Sequence, residues 1–346
     1  MATDTRTGAT TFADVMNQFM PGSGQVLEVV DILSEKLPIF REAHWVEAND
    51  YTQHRYLQTL SEPAGSDSIY NEGVAWELGL DSPVSEMIQT LESYSRVDVR
   101  ILKDSPDPAA YRRDQDAKFV RGLGKSAEAR ALYGRTGQST RTSVGSPSQI
   151  LGIAARFNVY NSGAQPWNQI QGSQYWLPNV KLAGGSTAAK QSSAWLIKWA
   201  DDGLFMIFPR GGKGTIEVEP MPQPVIITDS NGNAVTYEIT HFSASFGIGV
   251  GDWRNVCRLA NISSTDLKPW TSDLMLPLID VLPDGAEGVS MYIGRKHMVD
   301  VRTEVKNNTN VFHFDDAPWG PVMIPYWMEI PLAVDDEITD IEAVVS

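Results

Sequence analysis

The 346-residue chain has a single cysteine, Cys257, and no long uninterrupted apolar run. One cysteine excludes an intrachain disulfide framework and any multi-cysteine metal site. No stretch approaches the ~18 consecutive apolar residues of a membrane span. The five histidines, His44, His54, His241, His297 and His313, are scattered, and no pair has the i, i+4 spacing of a helical zinc site. Basic residues are scarce, 28 against 43 acidic, for a formal charge of -15. That balance argues against gripping duplex DNA through the whole surface, which needs clustered Lys and Arg. Residues Met1 to Gly8 lack the charged-then-apolar build of a secretory signal. Folding in a cytosol is expected, where Asn261-Ile-Ser263 and Asn307-Asn-Thr309 would carry no glycan.

Chemistry-bearing motifs are equally thin. His313 with Asp315 and Asp316 has metal-like composition, but an ordinary charged loop explains it better. Gly211-Gly-Lys-Gly-Thr215 lacks the GxxxxGK[ST] spacing of a phosphate loop. Gly247, Gly249 and Gly251 lie on a strand pattern, where glycine marks a bend or a close backbone approach rather than a dinucleotide fingerprint. Paired acids occur at Asp201-Asp202 and Asp335-Asp336-Glu337, but adjacent carboxylates point different ways, whereas a glycosidase needs two facing across a cleft. The 10 tryptophans are spread singly from Trp45 to Trp327, as core or interface anchors are. No catalytic, cofactor-binding or metal residue is assigned.

What the chain does have is segregated charge. Residues 1–95 carry 4 basic and 15 acidic side chains, 96–135 carry 10 and 6, and 315–346 carry none and 8. One reading is an unevenly charged solvated surface. The other is an acidic N-terminal region attracted to the basic middle of a second copy, since complementary patches set register and steer encounter.

The pattern of elements is α+β, richer in strand than helix, and without the βαβ alternation of a Rossmann or barrel enzyme. Phe12 to Met20 reads as two helical turns, and Val26, Val29, Val30, Leu33 and Leu37 as an amphipathic helix over 25–36. Residues 44–60 and 69–76 are rich in strand formers, but neither parity makes an apolar face. With turn material at Ser61 to Ser68 between them, they predict a projecting hairpin, which is marginal alone and needs something to lie on. Residues 88–102 look extended. Asp107-Pro108 is a helix start, a capping carboxylate before proline at the first helical position. A charged helix is expected from there to about Tyr133, with Gly122 and Gly124 weakening its middle. Strands are expected at Ser193–Trp199 and Leu204–Phe208 around an Asp201-Asp-Gly203 turn, and as a hairpin about Asp229 to Asn233. Further expectations are one long strand from Phe242 to Ala260, a helix from Leu274 to Leu282, and late strands at Val289–Ile293 and Ile330–Val334. Cys257, in an apolar strand, reads as a buried structural thiol.

Several of these segments, in this order, resemble the major capsid proteins of tailed bacteriophages, nearest to those of short-tailed phages. They are His44 to Trp76, Glu92 to Ile101, the charged helix ending Arg130-Ala-Leu-Tyr-Gly134, Gly152-Ile-Ala-Ala-Arg-Phe-Asn158, Ala194-Trp-Leu-Ile-Lys-Trp199, Ile207-Phe-Pro-Arg-Gly211 and Phe246 to Ile262. Together they span most of 25–345, with 160–192 and 301–328 fitting poorly.

The resemblance implies the Hong Kong 97-type phage coat fold. Carried onto this chain, it gives an N-terminal arm at 1–43 and an extended β-hairpin loop at 44–80. A peripheral domain takes 81–149 and 225–262, with a long spine helix at 107–133. An axial domain takes 150–224 and 263–328, and a C-terminal strand and tail take 329–346. It implies a structural subunit of an icosahedral head, not an enzyme, without cofactor. Its partners would be itself, in hexameric and pentameric capsomers, then scaffold, portal and decoration proteins, with DNA as non-specific contents and no membrane. Its place is the virion, after synthesis in host cytoplasm. Candidate subunit-interface residues are Arg112, Arg113, Lys118 and Arg121 on the helix and Glu62, Asp67 and Glu72 on the loop. With no lysine in 44–80, a loop-borne lysine for covalent Lys–Asn crosslinking looks absent. Rival readings are an encapsulin-like compartment shell, a β-rich carbohydrate-active enzyme, and a tail or decoration protein.

Overall fold

The structure, a computed structural model, describes residues 37–346 except 62, 64, 72, 75, 105, 137–148, 159–178, 212–215, 229–231, 308–311 and 318–319. The two helices expected before residue 37 therefore lie outside the described residues. A short helix, α1 (Pro38–Glu42), leads into β1 (Trp45–Glu47). A ribbon, β2 (Gln53–Ser61) and β3 (Leu80–Met87), runs into β4 (Gln89–Asp98). Helix α2 (Val99–Asp104) then precedes the 26-residue α3 (Pro108–Tyr133).

Helix α3 starts where its sequence dictates. The Asp107 carboxylate accepts a hydrogen bond from the Ala110 amide at 3.0 Å, and Pro108 occupies the first turn. The helix runs without interruption through Gly122 and Gly124, so burial of its C-terminal half outweighs their poor propensity. Residues 88–102 are only partly extended. The strand stops at Asp98, whose carboxylate accepts from the Arg100 amide at 2.8 Å and caps α2.

The long strand β10 (Ala234–Val250) organises a six-stranded sheet. One edge pairs with β4 from Tyr237 to Phe246. The other edge pairs in turn with β9 (Val225–Thr228), β8 (Ile216–Pro220) and β7 (Leu204–Phe208), and β7 carries β1 in parallel. At ~3.3 Å per residue β10 spans roughly 55 Å. Helix α3 packs across β4 and β10, with Phe119 stacked on Phe242 at 5.9 Å between ring centroids.

The second sheet has seven strands in the order β13 (Phe312–Ala317), β14 (Gly320–Trp327), β15 (Ile330–Asp335), β12 (Val289–Gly294), β6 (Ser192–Lys198), β11 (Val256–Ile262), β5 (Val180–Leu182). Both its faces are covered. Trp195 and Ile197 of β6 join one apolar core with Leu132, Tyr133, Ile153 and Phe242, whereas Ala194 and Leu196 join the other with Cys257, Met275 and Leu332. That is why Ala194-Trp-Leu-Ile is continuously apolar rather than alternating. Trp270 and Trp327 meet edge to face at 5.9 Å in the second core.

Two expectations are corrected and a third is met with an addition. The returning strand of the ribbon is Leu80–Met87, not 69–76, and β1 belongs to the body. The strands at 192–198 and 204–208 form as expected about the turn at Asp201 to Gly203, and that turn carries the chain from one sheet to the other. The single strand expected over Phe242–Ala260 breaks after Val250 at a 3₁₀ turn, Trp253–Asn255, so β10 and β11 serve different sheets. The glycines before the break are where backbones touch. A Cβ on Gly247 would lie 2.8 Å from the Met87 carbonyl oxygen, and one on Gly251 2.6 Å from that of Asp202. Two further helices, α4 (Ile153–Arg156) and α5 (Ser272–Ile279, enclosing Pro277), line the cores, and α6 (Met298–Asn307) follows β12. The hairpin expected about Asp229 forms as β9 and β10.

Candidate assembly surface

The ribbon is fastened at its root and bare beyond it. At the root, the Tyr56 hydroxyl donates to the Val250 carbonyl at 2.9 Å and accepts from the Val250 amide at 3.2 Å. Burial pushes that phenol up to about 12. The ring packs edge to face on Phe205 at 5.7 Å, beside His54, whose own pKa is lowered by desolvation. On β3, Glu86 takes a two-pronged ion pair from Arg156 of α4, with both oxygens at 2.7 Å. The same guanidinium reaches the Ile248 carbonyl at 3.2 Å.

Beyond the root, Leu57 and Leu80 are exposed, and the described residues from 63 to 79 form no strand. Glu77 holds that segment locally, accepting from the Gly65 amide at 2.7 Å and the Ser66 hydroxyl at 2.8 Å. Its aromatic side chains are bare, with Tyr70 98% and Trp76 102% accessible, and Ile69 and Leu78 are largely exposed. An isolated exposed Leu needs no explanation, but a cluster with two aromatics on a projecting ribbon marks a surface awaiting a partner.

The charged candidates separate. Arg112 is largely buried and turned inward, donating to the carbonyls of Glu238 at 3.0 Å and Ser95 at 3.4 Å and to the Thr240 hydroxyl at 2.5 Å, with Asp116 at 3.3 Å. It rivets α3 to the sheet. Arg113 and Lys118 are exposed, and Lys118 donates to Gln115 at 3.5 Å. Arg121 is half buried, its Nε without a hydrogen-bond partner. Asp67 is exposed on the ribbon, whereas Glu62 and Glu72 lie outside the described residues.

Sequence reasoning weighed the ribbon's carboxylates and missed its aromatics, although Tyr70, Trp76 and Leu78 in a segment with no apolar face were the signal. It also missed a buried latch. Arg258 and Glu342 pair at 2.8 Å, both side chains almost wholly inaccessible. Tyr133 donates to Glu342 at 2.6 Å, Ser193 donates to its other oxygen at 2.5 Å, and Arg258 also reaches the Phe157 carbonyl at 2.6 Å. The latch joins the end of α3, the adjacent strands β6 and β11 of the seven-stranded sheet and the chain after β15. Its signal was Arg258 inside an apolar strand.

Among the described residues no group of three His, Cys, Asp or Glu side chains could hold a metal ion. Asp201 pairs with His44 at 2.7 Å in its turn, and Asp336 with Arg295 at 2.5 Å. Cys257 is buried, and desolvation pushes its thiol up and out of the reactive range. The side chains of His313, Asp315 and Asp316, and residues 212–215 of the glycine-rich segment, lie outside the description.

A long helix laid across a long-stranded sheet, a second sheet sharing its core, and a ribbon that leaves the body bare make up the coat fold of the Hong Kong 97 type. The family described as "Major capsid protein GP7" matches residues 21–346, and the chain belongs to that family. It is a structural subunit of an icosahedral phage head, not an enzyme, and its place is the virion. Among solved structures, the chain is similar to that of bacteriophage Epsilon15, with a TM-score of 0.54 and 21% identity over 88% of each chain. It is also similar to the bacteriophage JBD30 capsid, with a TM-score of 0.50 and 8% identity over 89% of this chain and 93% of that one. At these identities the likeness is one of fold. No curated protein matches the chain.

Proposed function

We propose that the ribbon of one subunit lies on the body of the next, seating Tyr70, Trp76 and Leu78 against it, and that capsomers of six and five copies are built from this contact. The observation that carries the reading is the full exposure of two aromatic rings on a projecting ribbon. Burying each ring would remove roughly 150–250 Å² from water. At ~25 cal/mol/Å² that is worth about 4–6 kcal/mol before the entropy of association. Heterologous contacts of this kind close into rings and shells when the rotation permits.

Charge gives the contact its direction. Residues 1–95, net -11, would be drawn toward the exposed Arg113 and Lys118 and the half-buried Arg121 of a neighbour, with net +4 over 96–135. Arg112 is excluded from this role by its internal bonds. The domain division follows the sheets: α3 with the six-stranded sheet as the peripheral domain, and the seven-stranded sheet as the axial one. The arm is the chain up to Ala43, and the loop narrows to the ribbon and its tip, residues 53–87. Net acidity keeps enclosed DNA from adhering to the wall. Scaffold, portal and decoration proteins are the further partners of such a subunit, and host cytoplasm is its place of synthesis.

The test is electron microscopy of purified protein. Wild type should form closed shells, and W76S with Y70S should leave soluble, folded subunits. Normal shells from the double variant would overturn the ribbon's role. Reversing Arg113, Lys118 and Arg121 to Glu together should slow assembly most at low salt, where surface charge is least screened. An unchanged light-scattering time course would remove the charge component.

A further inference from the structure

Two fully buried carboxylates sit on elements that touch α1, one on α3 and one at the end of β15. Glu128, in the penultimate turn of α3, is fully buried. One of its oxygens accepts from the Ile39 amide of α1 at 3.1 Å, and the other, Oε2, has no hydrogen-bond partner. Asp335, ending β15, is also fully buried. Its Oδ1 accepts from the Glu337 amide at 2.7 Å, and its Oδ2 has no partner. Glu337, whose amide binds Asp335, is buried as well, and α1 packs against β15. At each of these two buried sites an orphaned carboxylate oxygen is costly on an anion and satisfiable when a proton lies on it.

We propose that Glu128 and Asp335 form a proton-dependent clamp that holds α1, and with it the chain preceding Ala43, to the body when protonated and loosens it when ionised. The surrounding charges do not cancel the pair. From α1, Arg41 favours an ionised Glu128, but Glu337 and Asp335 oppose that, and burial raises its pKa most. Asp335 is raised to about 7, chiefly by burial and then by Glu337 and Asp336, against hydrogen bonds from the Glu337 and Ile338 amides. Asp336 itself is engaged by Arg295 at 2.5 Å. Both folded-state values lie above the unfolded ones, so the folded state binds more protons. The clamp's contribution is therefore complete below pH ~4 and is lost as pH rises through about 7. The clamp stands on this chain's own contacts and is independent of how copies pack.

Hydrogen exchange of the full-length protein from pH 5.5 to 8.5, corrected for the intrinsic rate, reads the clamp directly. Protection of residues 37–43 should fall at least ~10-fold across that range, while β6 and β11 stay unchanged. E128Q and D335N mimic the protonated forms, and each should retain at pH 8.5 the protection that wild type has at 5.5. A flat wild-type profile would overturn the proposal, as would both variants titrating like wild type. If one variant fails to fold, the other carries the test. Failure of both would also refute it, because the neutral pair is the form that should be stable.

Discussion

The buried charges set how much a single side chain matters. Arg258 and Glu342 sit in a dry site with each polar atom engaged, so removing one partner strands the other. E342A should lower unfolding free energy by about 3–5 kcal/mol, read from the midpoint of urea denaturation. Y133F removes one donor to Glu342 and should cost ~1–3 kcal/mol. Equal, sub-kilocalorie effects in both would show that the latch adds nothing. At this scale the sequence was least legible. It presented Arg258 as a charge in an apolar strand, but its partner lies 84 residues away, and no local pattern points to it. Arg112 misled for the same reason. Its spacing on α3 matched exposed neighbours, while only the packed sheet reveals the carbonyls of Ser95 and Glu238 that occupy it.

Elements were read best where their signals are local. Asp107-Pro108 placed the start of α3, and Asp229 to Asn233 placed the turn between β9 and β10. The ribbon was legible as a projection, but its return strand was misplaced. Ile69 to Trp76 has the composition of a strand, and here composition reports exposed apolar side chains instead of a ladder. The break between β10 and β11 was missed although Asp252-Trp-Arg-Asn255 interrupts the apolar pattern: Asp252 caps the 3₁₀ turn by accepting from the Arg254 amide at 2.9 Å, and the backbone of Asp202 crosses there. The attachment of the ribbon can be tested at its root. Y56F leaves the polar groups of Val250 without their partner and should speed hydrogen exchange across 53–61 and 80–87, with the two cores unaffected. Unaltered exchange would place the attachment elsewhere.

At the scale of the whole molecule, two sheets share one core while the ribbon stays outside it. Family membership fixes what that shape is for, since a fold alone does not. In free subunits, limited proteolysis should cut first between residues 63 and 79, where no ladder restrains the chain and aromatic residues offer cleavage sites. Those cuts should vanish in assembled shells. Equal cleavage in both states would mean that the tip stays open to solvent in the head.

The route from ribbon to interior is short. Tyr56 grips Val250, the last residue of β10, and six residues later the chain enters β11, which carries Arg258. Tension applied to the ribbon by a neighbour would thus travel along covalent backbone into the least hydrated ion pair among the described residues. Mechanical load on the head would be borne there, far from the surface on which it was applied.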